Sequence, residues 1–275
     1  MSAVEETVRP DEEAVAEVLP ILPLKETVVF PDSMTPLAVG QERSIQLVDE
    51  AVANDSTIAL VTTRNSGDEA TSADDIYDVG TAALIHKMIR VPDGTLRILV
   101  QGVRRVRMDR LVQTEPYLVG EFSDLPDIEG PETEVEALAR NVETLFSRII
   151  GLVPYLPDEL QLAAANAEDP SALANLIATT MRLKTPEKQE LLEEADIEAR
   201  LRKLTVILNR ELEVLELGTK IQSQVQSELE KGQREFFLRQ QLKAIQGELG
   251  EGNELAEEVQ GFREKAHKAK MPKAT

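Results

Sequence analysis

Apolar residues follow two different periods along this chain, and the change between them predicts two kinds of structure. From about residue 22 to 125 they form short runs or alternate with polar residues, which is typical of β-strands. From residue 131 onward they recur at every third or fourth position, which is typical of helices. The pattern therefore predicts an α+β protein, with a compact and mainly antiparallel β segment ahead of a helical one.

The β segment has turn residues between its apolar runs, which separate the predicted elements. In order, these are a helix carrying Ile45, Val48 and Val52, strands over 57–61 and 80–91, a turn at 92–94, and strands over 96–100, 105–108 and 117–122. The Pro-Asp-Gly sequence of the turn favours a hairpin between the strands on either side of it.

The helical segment opens after Gly130-Pro131. A first helix is predicted from the spacing of Val135, Leu138, Val142, Leu145 and Ile149, and Gly151 is its predicted end. Pro154-Tyr155-Leu156-Pro157 is interpreted as a rigid connector. Asp169-Pro170 predicts an N-cap followed by a first-turn proline, and Thr185-Pro186 repeats the signal.

The last helix is predicted to be very long, from a cap at Asp196 to about Leu249, which is roughly 80 Å at a rise of ~1.5 Å per residue. Gly218 and Gly232 lie inside it and are predicted points of bending. Its first leucines have the spacing of a helix that packs on others. Its second half departs from the alternating three-four spacing of a coiled coil, so the sequence predicts a partly solvated, projecting segment there.

An apolar patch is predicted near the end of this helix, in a chain that is only 3% aromatic. Phe236, Leu242, Ile245 and Leu249 are expected to share one stripe, and Phe237 and Leu238 to widen it. A lone helix has no reason to carry so much apolar surface, so we expect the patch to dock on another surface.

The formal charge of the 275 residues is −20, from 30 basic and 50 acidic side chains. The surplus lies in residues 1–218, because residues 219–275 contain 10 Lys and Arg against 9 Asp and Glu. Such an acidic chain is expected to repel nucleic acid. No cysteine is present, which excludes disulfides and thiolate metal sites. The acidic start lacks the pattern of a signal peptide and no apolar run reaches ~20 residues, so the cytoplasm is the expected location.

Catalytic motifs are missing from the sequence. Gly247 and Gly252 have the spacing of the glycines in a phosphate-binding loop, but Asn253-Glu254 follow where Lys and Ser or Thr are needed. The Gly-x-Ser-x-Gly motif does not occur. His86 and His267 are isolated, which disfavours a metal site or a catalytic triad. We therefore expect no catalytic, cofactor-binding or metal-binding residue in this chain.

Seven basic residues cluster between positions 87 and 110 and allow two interpretations. They are Lys87, Arg90, Arg97, Arg104, Arg105, Arg107 and Arg110, against Asp93 and Asp109. They could contact phosphates of a nucleic acid, or they could form a polar sheet face paired with acidic residues elsewhere. The overall negative charge and the absence of interleaved aromatic residues favour the second interpretation.

Three stretches resemble one family. Residues 22–31, Leu-Pro-Leu-Lys-Glu-Thr-Val-Val-Phe-Pro, with Met34 and Pro36-Leu37, look like the opening of the amino-terminal domain of Lon proteases, which are ATP-dependent serine proteases. Residues 79–102, from Val-Gly-Thr-Ala to Leu-Val-Gln-Gly, are similar to the central hairpin of that domain. Residues 234–250, which begin Arg-Glu-Phe-Phe-Leu-Arg, resemble the helix just before the ATPase module.

The resemblance implies a small PUA-like β domain, a helical bundle and a long projecting helix leading to a hexameric ATPase and protease ring. ATP and Mg would act in the parent protein, and its serine–lysine dyad lies in a domain that this chain does not contain. The expected segments are a disordered acidic tail (1–17), a β-rich lobe (18–125), a helical lobe (131–195), a long connector helix (196–250) and a truncated linker toward the ATPase module (251–275).

The implied function is recognition of misfolded, damaged and short-lived regulatory proteins, together with assembly of the protease. Candidate substrate-binding residues are Phe30, Pro31, Met34 and Pro36, and then Tyr155 and Leu156; core packing or a rigid turn is the alternative for both groups. Candidate assembly residues are Phe236, Phe237, Leu238, Leu242 and Ile245. Two other functions stay open: a free-standing PUA-like domain that binds RNA or a small ligand, and a coiled-coil scaffold.

Overall fold

A computed structural model describes residues 16–65, 67, 70–248 and 251–269. The predicted acidic tail lies outside the described residues as far as position 15, and its last residue, Glu17, already begins the first strand. The chain divides into two compact units, one that ends at Glu213 and one that starts at Val214. The sheet and the shorter helices before the longest helix lie in the first unit.

Six strands form one mixed sheet. They are β1 (Glu17–Leu24), β2 (Met34–Val39), β3 (Thr57–Thr62), β4 (Val79–Arg90), β5 (Leu96–Gln113) and β6 (Val119–Asp124). Their order is β2-β5-β4-β3-β1-β6, and β6 also pairs with β5, so that β2 is left with a single neighbour. Only β1 and β3 run parallel among these pairs, which confirms the mainly antiparallel β segment.

Helix α1 (Glu42–Ala53) covers part of the core of this sheet. It buries Leu47, Val48 and Ala51, whereas Val52 is 37% exposed. The buried face is therefore rotated by about one residue from the predicted one, because positions 47, 48 and 51 share a face at the helical period.

Strand β5 is longer than the sequence predicts. Strands were expected over 96–100 and 105–108, but a single strand of 18 residues runs through both. Gly102 lies in the middle, and a Cβ there would come within 2.2 Å of the Phe30 carbonyl oxygen. Within this one strand, Gly102 is a point of close approach between two backbones.

In the described part of the chain the sheet is followed by α2 (Glu132–Leu152), α3 (Glu159–Ala165), α4 (Pro170–Thr180), α5 (Thr185–Glu193), α6 (Ile197–Glu248) and α7 (Glu251–Lys268). Gly151 does not end α2, which continues for one more residue. The sequence interpretation missed α3, and the segment expected to be a linker after residue 250 contains α7. Leu249 and the last six residues lie outside the described part of the chain.

Two predicted helix caps are confirmed. The Asp169 carboxylate accepts a hydrogen bond from the Ala172 N–H at 2.7 Å, at the start of α4. The Asp196 carboxylate accepts one from the Ala199 N–H at 3.1 Å, at the start of α6. Both satisfy backbone donors that a helix leaves unpaired in its first turn.

The first turns of α6 belong to the core of the first unit. Leu201, Leu204 and Leu208 are fully buried and Leu212 is 5% exposed, which is the predicted packing of the front half of this helix. The helix then continues through Gly218 without interruption.

A buried ionic cluster joins the β segment to the helices. The guanidinium groups of Arg105 in β5 and Arg200 in α6 both bind the carboxylate of Asp127, and their side chains are 4% and 2% exposed. Arg105 also donates to the carbonyl oxygens of Leu192 and Glu194, at 3.1 and 2.7 Å. Arg200 donates to the Glu194 carbonyl as well, at 2.9 Å from its Nε. One carboxylate is therefore shared by two buried cations from different parts of the fold.

The charges in this cluster shift its pKa values. Burial alone would raise the pKa of Asp127, but a hydrogen bond with Ser171 and the charges of Arg200 and Arg105 outweigh it, so that the pKa lies below its ordinary 3.8. Burial and the neighbouring Arg200 lower the pKa of Arg105 to about 10. Arg105 therefore stays charged at neutral pH and depends on the ionised carboxylate.

Replacing Asp127 with Asn should lower the free energy of unfolding near neutral pH by about 3 kcal/mol, because two buried cations lose their counter-charge. The difference should depend on pH. Since the folded-state pKa lies below 3.8, the stabilisation is complete above that value and is lost as the pH falls through the folded-state pKa. Wild-type and variant stabilities, measured by urea unfolding at a series of pH values, should converge on acidification.

Asp49→Asn is the matched control, because its partner Arg90 lies at the surface with a side chain that is 56% exposed. Losing that pair should cost less than about 1 kcal/mol. Equal losses in the two variants would contradict the importance assigned to the buried cluster.

Candidate functional site

The loop between β1 and β2 is fixed by hydrogen bonds from its neighbours. The Asp32 N–H donates to the Gly102 carbonyl and the Gly102 N–H donates to the Ser33 carbonyl, both at 3.0 Å. The Ser33 hydroxyl donates to the Phe30 carbonyl at 2.6 Å. Asp32 has a φ of 60°, in the left-handed region, so the chain turns sharply at this residue. The loop is a tightly held turn against the middle of β5.

This turn separates the four candidate residues of the loop into two groups. Phe30 is 1% exposed and Pro31 is buried, so the structure corrects their expected role: a substrate cannot contact them here, and they pack in the core. Met34 is 51% exposed and Pro36 is exposed as well. Pro36 lies on β2, which pairs on one side only, and such an edge strand tolerates the missing N–H of proline.

The second pair of candidate substrate-binding residues also consists of one buried and one exposed side chain. Leu156 is 7% exposed and is a core residue, which again corrects the expected contact with a substrate. Tyr155 is 45% exposed, and the guanidinium carbon of Arg182 lies 3.7 Å from the centroid of its ring. The cation packs against one face of the ring.

The turn at Asp32 lies near the start of α4. Burial raises the pKa of the Asp32 carboxyl, and the negative charges of Asp169 and Glu168 raise it further. The Asp32 carboxyl is thus affected by charges from another part of the first unit, and Met34 is two residues away from it in the chain.

A groove in the helical part of the first unit has no counterpart in the sequence interpretation. Its volume is about 860 Å³, and it lies between one face of α2 and the segment from the end of α3 to the start of α4. Carboxylates spaced along the chain form much of its lining: Glu129, Glu132, Glu136, Glu143, Glu168 and Asp169. Because acidic residues are common throughout this chain, only the tertiary structure reveals that these six line one groove.

The five candidate assembly residues all lie on the part of α6 in the second unit. Phe236, Phe237, Leu238, Leu242 and Ile245 are between 52% and 66% exposed. They do not form one stripe, however, because residues turn by about 100° each along a helix. Phe236 shares its face with Val225 and Leu229, and together with Gly232 these residues line a shallow groove of about 550 Å³.

Leu238, Leu242 and Ile245 fall on a different face of α6, since they are spaced four and three residues apart and Phe236 is six residues from Leu242. The predicted stripe that included Phe236 with Leu242 and Ile245 is therefore wrong. The sequence contains two apolar faces that succeed each other along the helix.

The basic cluster of β4 and β5 is largely paired. The ion pairs are Arg90 with Asp49, Arg104 with Glu17 and Asp124, Arg105 with Asp127, and Arg110 with Glu121. This is the arrangement that the second interpretation of the cluster predicted. Four of the seven cations are thus engaged by carboxylates of the same chain.

No group of three or more His, Cys, Asp or Glu side chains in the described part of the chain could hold a metal ion. Likewise, no helix within it is long and apolar enough to cross a membrane.

Solved structures share this fold. The N-terminal domain of the Mycobacterium avium complex Lon protease superposes with a TM-score of 0.59, at 24% identity, over 70% of this chain and 98% of that one. A Lon N-terminal domain protein from Xanthomonas campestris gives a TM-score of 0.50 at 22% identity. At these identities the likeness shows the fold alone.

The sequence shows the family. Residues 18–210 match the model of the ATP-dependent protease La (LON) substrate-binding domain. The Lon protease of Dictyoglomus thermophilum is 43% identical over 258 residues, and Lon protease 1 of Herpetosiphon aurantiacus is 42% identical over 276. These matches cover 94% and 98% of this chain but 32% and 33% of the relatives. The chain belongs to the Lon substrate-binding domain family and corresponds to the amino-terminal third of Lon proteases.

Replacing Gly102 with Ala should destabilise the first unit and displace the loop at Phe30, because the added Cβ would lie 2.2 Å from a backbone oxygen. We expect a loss of at least about 2 kcal/mol in the free energy of unfolding, measured by urea titration. Gly151→Ala, where nothing lies within 4 Å of the added Cβ, should be neutral or slightly stabilising. The same loss at both positions would show that Gly102 has no special role.

Proposed function

We propose that this chain recognises polypeptide substrates for an ATP-dependent protease and takes part in assembling that enzyme. The match of residues 18–210 to a family described as a substrate-binding domain is the observation that carries the proposal. Since the chain spans about a third of its curated relatives, ATP hydrolysis and peptide-bond cleavage would belong to segments of the parent protein outside it.

The substrates proposed are misfolded, damaged and short-lived regulatory proteins. Such proteins differ from folded ones by exposed apolar side chains, so a site that recognises them needs exposed apolar groups of its own. Met34 and Tyr155 have this property, being 51% and 45% exposed. The flexible thioether of methionine adapts to different partners, and a tyrosine ring offers a large apolar face with a polar end.

The assembly role is proposed for the exposed faces of α6. In the parent protein they would pack against neighbouring copies of a hexamer or against the ATPase domain, with ATP and Mg bound there. A cytoplasmic location is part of the same proposal. The alternative, a free-standing domain that binds RNA or a small ligand, has less support because four of the clustered cations are already paired.

The chain should bind a protein that is fluorescently labelled, reduced and unfolded, and it should not bind the native form of the same protein. Met34→Ser combined with Tyr155→Ser should weaken that binding about fivefold, because two partly buried apolar contacts are lost. Val206→Ser removes an apolar side chain that is 70% exposed elsewhere and should have no effect. Fluorescence anisotropy measures the binding of the unfolded protein to the wild-type chain and to both variants.

Equal affinity for native and unfolded protein, or tighter binding of a single-stranded RNA at ~0.15 M salt, would contradict substrate recognition and favour the alternative.

The chain should also self-associate weakly at high concentration. Replacing Phe236 and Phe237 with Ser should reduce this in sedimentation velocity, because each large apolar side chain contributes roughly 1.5 to 3 kcal/mol when buried. Thermal unfolding of the first unit should not change, since both side chains are more than 60% exposed. Gln240→Ser on the same helix is the control. Loss of stability in the double variant would show that these residues belong to a core.

A further inference from the structure

The groove beside α2 has an apolar floor and an acidic rim. Val135, Leu173 and Ile197 line it with side chains that are between 5% and 8% exposed, so they lie at its base. Glu129, Glu132 and Glu168 are exposed at its edges. A volume of about 860 Å³ is enough for several side chains of an extended polypeptide.

The charge of the rim is almost entirely of one sign. Among the described residues that line the groove, Arg140 is the only cation, and it is paired with Glu136 on the next turn of α2. Asp127 at the inner end is neutralised by its two arginines. The exposed carboxylates of the rim therefore set the potential of the groove, and they favour a positively charged occupant.

The arrangement suits cationic side chains better than a metal ion. A metal needs several ligands that converge on one point, and no such group of carboxylates occurs among the described residues. Lysine and arginine instead have long apolar stems with a charged end, so they can lie on an apolar floor and reach an acidic rim at the same time.

We propose that this groove binds basic segments of unfolded substrate polypeptides, with lysine and arginine side chains on the floor and their charges at the rim. The proposal rests on the proposed function and adds to it the chemistry of the preferred segment: apolar residues interspersed with cations. An exposed ion pair strengthens binding by a factor of at most about five, so the preference must come from several pairs together.

Three short fluorescent peptides with the same leucine and phenylalanine residues test this. They differ only in carrying lysine, glutamine or glutamate at the intervening positions. With the intact 275-residue chain, the lysine peptide should bind at least about tenfold more tightly than the glutamine peptide. Raising the salt from ~0.05 to ~0.5 M should reduce this preference.

A variant with four substitutions in the groove distinguishes the effect of the groove's charge from the effect of the overall charge. It combines Glu129→Gln, Glu132→Gln, Glu143→Gln and Glu168→Gln, which leave the cap at Asp169 and the ion pair of Glu136 intact. The matched control combines Glu42→Gln, Asp55→Asn, Glu190→Gln and Glu213→Gln, which remove the same charge away from the groove. The groove variant should lose most of the preference for lysine, and the control should keep it.

A second variant tests the same point with one substitution. Glu143→Lys places a cation in the groove from α2 and should reduce binding of the lysine peptide without weakening the glutamine peptide. Thermal unfolding checks that every variant is folded.

The outcomes distinguish the two proposals. If the three peptides bind equally, substrate recognition holds and the basic preference is wrong. If groove and control variants lose the preference to the same extent, the overall charge is responsible and the groove is not the site. If neither the peptides nor an unfolded protein binds, the proposed function fails together with this inference.

Discussion

One carboxylate shared by two buried arginines holds the first unit together. Arg105 comes from the long strand β5 and Arg200 from the first turns of α6, and neither has access to water that could stabilise its charge. Removing either charge from water is costly, so the fold is restricted to arrangements in which Asp127 lies between the two. The carbonyls that accept their remaining hydrogen bonds lie at the end of α5, which fixes this helix as well. Within the first unit, the mutual position of sheet and helices depends on this cluster, and so does the position of the candidate surfaces that lie there.

The exposed candidate residues for substrate binding each lie close in the chain to a buried residue. The loop after β1 is held by hydrogen bonds to Gly102, and its apolar anchor, Phe30, is buried in the core. Its continuation at Met34 reaches solvent. Similarly, Leu156 fixes the connector after α2, while the adjacent Tyr155 remains outside. In each case a buried neighbour positions an exposed apolar side chain on a rigid base, which reduces the entropy lost when a partner binds.

The sequence predicts local features of this chain well because their causes are local. The caps at Asp169 and Asp196 need only a side-chain oxygen and a backbone N–H three residues on. By contrast, the burial of Phe30 depends on β5, which is far away in the sequence. The predicted stripe on α6 runs across two faces, because only residues three or four apart adjoin along a helix and Phe236 and Leu242 are six apart. The acidic groove could not be predicted, since its members come from α2 and from the turn before α4 and resemble many other carboxylates of the chain.

Helix α6 is continuous, but its two parts differ in what stabilises them. Up to Leu212 it is stabilised by leucines in the core, whereas every side chain from Glu216 to Glu248 is exposed. An isolated helix without tertiary contacts is only marginally stable in water, and the glycines at 218, 232 and 247 weaken it further. Opening of the second part therefore costs much less free energy than opening of the first, and its backbone amides are exposed to hydrogen exchange long before the unit that precedes it unfolds. Protection factors should fall steeply near Val214, although the helix itself continues without interruption.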